Sequence, residues 1–238
     1  MFRIITVAAA AGALTLGSLA CAAPALASVP ADGSPSPTAH SSLSAIQQAG
    51  AAATAKRITS LTARISKVNS SRTLSSADKS TVLGTLNTDL SGMQSLQTKI
   101  AADTSATTAW TDYHSIFTDY RVYVVGLQQS YIAATADGLT GIAIPKLQSA
   151  ATRISAYFAA HPEKVTPELQ AQLADMQARI ADAVSKTSGL AAAALAVTPA
   201  AFNANHDVLT DDRAAARAAL ADSKAAAQDG RAIVAALR

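Results

Sequence analysis

The chain has 238 residues, half of them hydrophobic but only 4% aromatic, with a formal charge of +3. So small a basic excess gives no electrostatic argument for nucleic-acid binding, and a single cysteine, Cys21, excludes an intrachain disulfide framework. Alanine makes up about a quarter of the residues, a usage that favours helices approaching one another over thin cores.

Met1-Phe2-Arg3 is a short basic start, and the apolar, Ala/Leu-rich stretch that follows to about Ala20 is too short and small-sided for a membrane span. It fits a secretory signal. Ala25-Leu26-Ala27 supplies a small-x-small cleavage site behind Pro24, so residues 1–27 are expected to leave with Cys21. The competing outcome is lipidation at Cys21. The triplet before it, Ser18-Leu19-Ala20, sets its leucine one position late for that. Residues 28–42 are rich in Pro, Ser and Thr without periodicity and read as a disordered leader.

Residues 43–238 read as a single all-α domain, an elongated antiparallel bundle of five or six long helices. The first helix is expected from about Leu43 to Val68, with Ile58, Leu61, Ile65 and Val68 at spacings of three and four. Asn69-Ser70-Ser71 ends it. Ser75 then opens a second helix, with Asp78 closing a capping box and Val82, Leu86, Leu90, Met93, Leu96 and Ile100 on one face. A third helix starts near Thr107, and Tyr113, Ile116, Tyr120, Tyr123 and Leu127 carry its period onward. The β-branched run Arg121-Val122-Tyr123-Val124-Val125 before Gly126 pulls toward strand instead, leaving 121–127 open.

Gly138 and Gly141 are expected to mark a bend before a fourth helix over about 142–160, whose first turn can hold Pro145. Thr166-Pro167 and Thr198-Pro199 each place an N-cap threonine before proline, giving a fifth helix and a sixth that runs to the chain end. Helices of about 26 residues are close to 40 Å long, and short connections make neighbours antiparallel. Ala63-Arg64-Ile65-Ser66 is echoed by Thr152-Arg153-Ile154-Ser155, for which coincidence between Ala-rich helices is the better account than duplicated hairpins.

No catalytic or metal-ligating set stands out. His206-Asp207 with Asp211 is the nearest to a metal pair, and a solvated helix start explains it as well. There is no nucleophile-elbow motif, and the two glutamates, Glu163 and Glu168, sit at a helix start where they favour the dipole. The expectation is therefore no enzyme, no metal and no cofactor.

Two uneven distributions remain. Lys56, Arg57, Arg64 and Lys67 form a basic stripe; with Arg57 at about 0°, Arg64 falls near 340°, Lys67 near 280° and Lys56 near 260°, beside an apolar face at about 20–100°. A solvated flank is the ordinary meaning, and a contact for anionic cell-wall polymers is the functional one. The aromatic residues concentrate in 110–131, where Tyr113, Tyr120, Arg121 and Tyr123 would line a small-ligand groove. Helical spacing favours core over that groove.

Stretches such as LSSADKSTVLGTLNTDLSGMQSLQTKIAADT, IFTDYRVYVV and VTPAAFNANHDVL resemble those of uncharacterised secreted alanine-rich helical proteins of high-GC Gram-positive bacteria, over most of residues 50–238. The resemblance implies a cell-envelope or extracellular setting and brings no site residues. The expected function is that of a secreted, non-enzymatic helical protein acting by binding or structure, with envelope proteins or anionic wall polymers as partners. The alternative is a small-ligand module built on 110–131.

Overall fold

The computed structural model describes residues 41–237; the expected signal peptide (1–27) and all but the end of the 28–42 leader lie outside the described residues. Among the described residues the secondary structure is helical and contains no strand. None of these helices is long and apolar enough to cross a membrane.

Helix α1 (Leu43–Ser70) begins where Ser42 Oγ accepts the Ala45 amide. It pairs antiparallel with α2 (Ser76–Ala102). Near the start of α1, Gln47 Nε2 donates to the carbonyls of Ala101 and Asp103 at 3.2 and 3.0 Å, satisfying orphan acceptors at the end of α2. At the other end of the pair, Lys79 Nζ does the same for the Asn69 carbonyl at 2.6 Å. Ile46, Leu61, Val68, Val82, Leu86, Met93 and Ile100 fill the space between. Each large side chain buried there contributes roughly 2 kcal/mol.

The expected capping box at Ser75 forms in part. Ser75 Oγ accepts the Asp78 amide at 3.1 Å and donates to Asp78 Oδ2 at 3.0 Å. The Ser75 amide, which the box would give to Asp78, instead donates to Asp137 Oδ2 at 2.7 Å. That distant carboxylate ties the α1–α2 turn to the far end of the helix over Gly126–Gly138.

The third helix is where sequence period and structure part. Helix α3 (Ala106–Ser115) widens into a π turn (Ile116–Tyr120) and stops at Arg121, which is left-handed at φ 48°. Val124 and Val125 amides fold back onto the Arg121 carbonyl, and α4 starts at Gly126 (Gly126–Gly138). The period through Tyr120, Tyr123 and Leu127 thus does not mark one helix. The valine and tyrosine run is poor in helix and packs as a turn, with Val122 and Val125 buried.

The bend expected at Gly138 and Gly141 is also replaced. Helix continues through a second π turn (Leu139–Ala143) into α5 (Ile144–Ala160). Pro145 has no amide for the Gly141 carbonyl, and its ring would crowd that carbonyl in a regular turn. The wider turn, with the Ile144 amide on the Leu139 carbonyl, makes room for it.

A single 3-10 turn (Pro162–Lys164) leads to α6 (Pro167–Thr187), capped as expected by Thr166 Oγ1 on the Leu169 amide at 3.3 Å. Gly189, left-handed at φ 70°, ends that run and lets a short α7 (Leu190–Ala196) turn back. Thr198 caps the next segment at the expected place, its Oγ1 accepting the Ala201 amide at 3.1 Å. The expected single last helix is in fact two, α8 (Pro199–Ala204) and α9 (Thr210–Ala236). Asn205 Oδ1 takes the Asp207 amide at 3.0 Å in a local turn that competes with helix. The bundle therefore holds more and shorter helices than the five or six long ones expected.

Helices α6 and α9 run antiparallel, bridged by Lys186–Asp222 at 2.6 Å and Arg179–Asp229 at 3.0 Å. Their seam is Leu169, Leu173, Met176, Ile180 and Ala183 against Ala219, Ala226, Ala227 and Ile233, with α5 adding Leu147 and Ile154. The sequence echo does not survive as a structural repeat. Arg64 is buried beside a half-buried Ile65, whereas Arg153 is exposed beside a buried Ile154.

Candidate functional site

The two uneven features of the sequence meet in one place. Arg57 and Arg64 lie on the side of α1 that faces the aromatic segment. The Arg57 guanidinium stands 4.6 Å from the Phe117 ring centre and 4.9 Å from that of Tyr123, while its Nη1 donates to the Ala53 carbonyl at 2.9 Å. Arg64 stands 4.0 Å from the Tyr131 ring centre, donates from Nε to Ser130 Oγ at 2.7 Å, and donates from Nη2 to the Ser130 carbonyl. Burial lowers the Arg64 pKa from its ordinary value, and Tyr131 partly counters that.

This corrects the four-residue stripe. Arg64 is buried and spends its donors on α4, so it is no part of an exposed cationic face. Lys56 and Lys67 are exposed. The helical wheel contains the reason: Arg57 and Arg64 are the two cations nearest the apolar arc, and they fold inward with it. An arginine accepts this because its flat, weakly hydrated head stacks on rings and donates in several directions.

The aromatic residues are spent in the same packing. Tyr113 is buried, with its ring edge-on to Phe117 at 5.1 Å and stacked near Trp110 at 5.8 Å. Tyr120 lies over Gly92 of α2, its ring in the space that a Cβ there would occupy. Tyr123 meets Ser60 through a hydroxyl–hydroxyl contact of 3.3 Å. Arg121 turns away from the other three: its Nε donates to Asn203 Oδ1 at 2.7 Å, and its guanidinium lies 5.3 Å from the Phe202 ring centre. Asn203 Nδ2 also donates to the Thr118 carbonyl at 2.8 Å, so α8 straps the π turn and the break together. Tyr113, Tyr120 and Tyr123 are thus core-facing, and Arg121 belongs to a separate contact.

Beneath the break sits a residue that the sequence reading passed over. Asp89 on α2 is buried, its Oδ2 has no hydrogen-bond partner, and burial alone pushes its carboxyl up to about 6. Its Oδ2 occupies the space that a side chain at position 126 would need, 2.7 Å from where a Gly126 Cβ would be. The signal was available. Positions 82, 86, 89, 93, 96 and 100 keep the three-and-four spacing of the buried face, and Asp89 is its one acid.

Gln129 is another buried polar side chain that the sequence did not announce. Its Nε2 donates to the Ala194 carbonyl at 2.8 Å and to that of Val197, closing the end of α7. His206 stacks on Phe202 at 5.0 Å, and among the described residues no group of three or more potential metal ligands comes together. What this region offers chemically is cation–ring stacking, a strapped helix break and one unpaired buried carboxyl. No family model, curated protein or solved structure matches the chain.

Proposed function

We propose that this chain is an exported, non-catalytic helical protein that acts in the cell envelope or extracellular space by binding or by a structural role. The observation that carries the non-catalytic part is the fate of its polar side chains. Arg57, Arg64, Tyr113, Tyr123 and Gln129 are committed to partners inside the fold. The antiparallel pairings α1–α2 and α6–α9 support a bundle scaffold of long helices. Export rests on the sequence of residues 1–27 and on the resemblance to secreted alanine-rich proteins.

Anionic wall polymers remain the proposed partner, now with a smaller contact. Lys56 and Lys67 carry the exposed part of the stripe, and such attraction is screened over roughly 8–10 Å at physiological salt. The test is co-sedimentation of the mature protein with isolated cell walls across a salt series. Retention at low salt, release at moderate salt and loss in a Lys56→Glu/Lys67→Glu variant support the contact. Equal partition of variant and wild type at every salt removes it. Intact mass of the secreted protein decides the export route: a start at Ser28 is expected, and a diacylglyceryl-modified Cys21 would replace a free protein by a tethered one.

A further inference from the structure

We propose that Asp89 is a proton-operated latch, holding the broken segment 121–126 onto α2 when its carboxyl is neutral and releasing it when the carboxyl ionises. Asp89 Oδ2 lies against the Gly126 backbone in a space that only glycine leaves open, and it has no hydrogen-bond partner. One turn along α2, Gly92 receives the Tyr120 ring. Asp89 and Gly92, on successive turns of α2, thus meet the two sides of the break, Gly126 and Tyr120.

Among the described residues, the charged and titratable groups on the surrounding elements are engaged elsewhere, exposed at the surface as Lys56 and Lys67 of α1 are, or of the wrong sign as Asp119 is. From α1, Arg57 is over Phe117 and Tyr123, and Arg64 is bound to Ser130. From the break, Arg121 is held by Asn203 and Phe202, Tyr123 meets Ser60, and Tyr120 covers Gly92. On α3, Asp112 is paired with Lys99 of α2 at 2.8 Å, Tyr113 packs on Phe117 and His114 is exposed. On α4, Tyr131 takes Arg64 and Asp137 takes the Ser75 amide. Helix α7 brings no ionisable side chain. Among the described residues an anion at Asp89 therefore meets no counter-charge, and burying a lone charge is costly.

Relief comes from water, and the break is the part able to admit it. Outside the regular helices, segment 121–126 is tied by the Val124 and Val125 amides on the Arg121 carbonyl, the Leu127 amide on that of Val122 and the Gln129 amide on that of Val125. It also starts at a left-handed arginine, a conformation that stores strain. The sign follows from linkage. With the folded carboxyl near 6 and the unfolded one near 4, the folded state holds the proton more tightly. The seated state is favoured as pH falls through 6 and is loosened above it.

Hydrogen exchange of the amides in 116–130, corrected for intrinsic rates, tests the latch at pH 5 and pH 7.5. Opening is expected to be several-fold more frequent at pH 7.5 in the wild type. In Asp89→Asn, neutral at both values, that dependence should vanish, whereas Asp137→Asn should keep it. Equal opening of the wild type at both values, or an unchanged dependence in Asp89→Asn, overturns the proposal. Should Asp89→Asn not fold, carbon NMR of the wild-type Asp89 carboxyl decides. A midpoint shared with the exchange change supports the latch, and a midpoint at the ordinary aspartate value overturns it.

Discussion

Between α1 and α2 the space is filled by Leu61, Leu86, Met93 and Ile100 and roofed by the aromatic segment, whereas α6 and α9 close on Ala183, Ala219, Ala226 and Gly230. Nearly half of α9 is alanine, but α2 has alanine only near its two ends. Two pairs of cations show the contrast. In the first region Arg57 and Arg64 find rings and neutral oxygens. In the second, Arg179 and Lys186 find carboxylates at the rim of the seam. Small residues let two backbones approach and leave charges outside. Large rings hold helices apart and leave gaps that only a long, flat cation fills.

The sharpest way to break this contrast is to add one methyl group on each side. Gly92→Ala would drive a Cβ into the Tyr120 ring, which would have to leave its seat on α2. A loss of about 3 kcal/mol is expected from overpacking. Gly230→Ala meets only the Met176 thioether end, at 3.2 Å, and the helix gains about 1 kcal/mol of propensity. Its change should stay within about 1 kcal/mol. Urea unfolding of both variants measures this, and equal losses would erase the distinction between a rigid and a yielding core.

Next in size are the cations. Arg64→Met leaves the Ser130 carbonyl and hydroxyl without their donor and should cost about 2 kcal/mol. Arg179→Met removes a rim ion pair of partly exposed groups and should cost at most about 0.5 kcal/mol. The difference in denaturation midpoints reads out whether the arginine is interior.

Below the loss expected for Arg64→Met come the helix starts. Thr166→Ala and Thr198→Ala should each cost about 1 kcal/mol by removing one capping bond. Thr198→Ala carries a second signature, because α8 straps the break: exchange at Thr118–Arg121 should rise with it and not with Thr166→Ala. A thermal midpoint left unchanged in Thr198→Ala would remove that cap from the fold's support.

Much of this organisation is readable from local chemistry. Ser75, Thr166 and Thr198 announce helix starts because a cap needs only the residues next to it. The break at Arg121 was visible only as a conflict between helical period and β-branched residues, and tertiary packing resolved it. Two other departures had unread punctuation: Thr187-Ser188-Gly189 before α7, and Asn203 to Asp207 between α8 and α9. The inward turn of Arg64 was hidden because a wheel gives angle and not depth. What fixes it is Ser130 and Tyr131, 66 and 67 positions away, which no local pattern connects.

That the arginines of the basic stripe and the aromatic segment form one packed interface is tested most directly by a double-mutant cycle on Arg64→Met and Tyr131→Leu, read by urea unfolding. The cation lies 4.0 Å from the ring centre and is desolvated. A coupling of about 1 kcal/mol or more is expected. Losses that add to within about 0.3 kcal/mol would mean that the two side chains do not interact, and the stripe and the rings would again be separate surfaces.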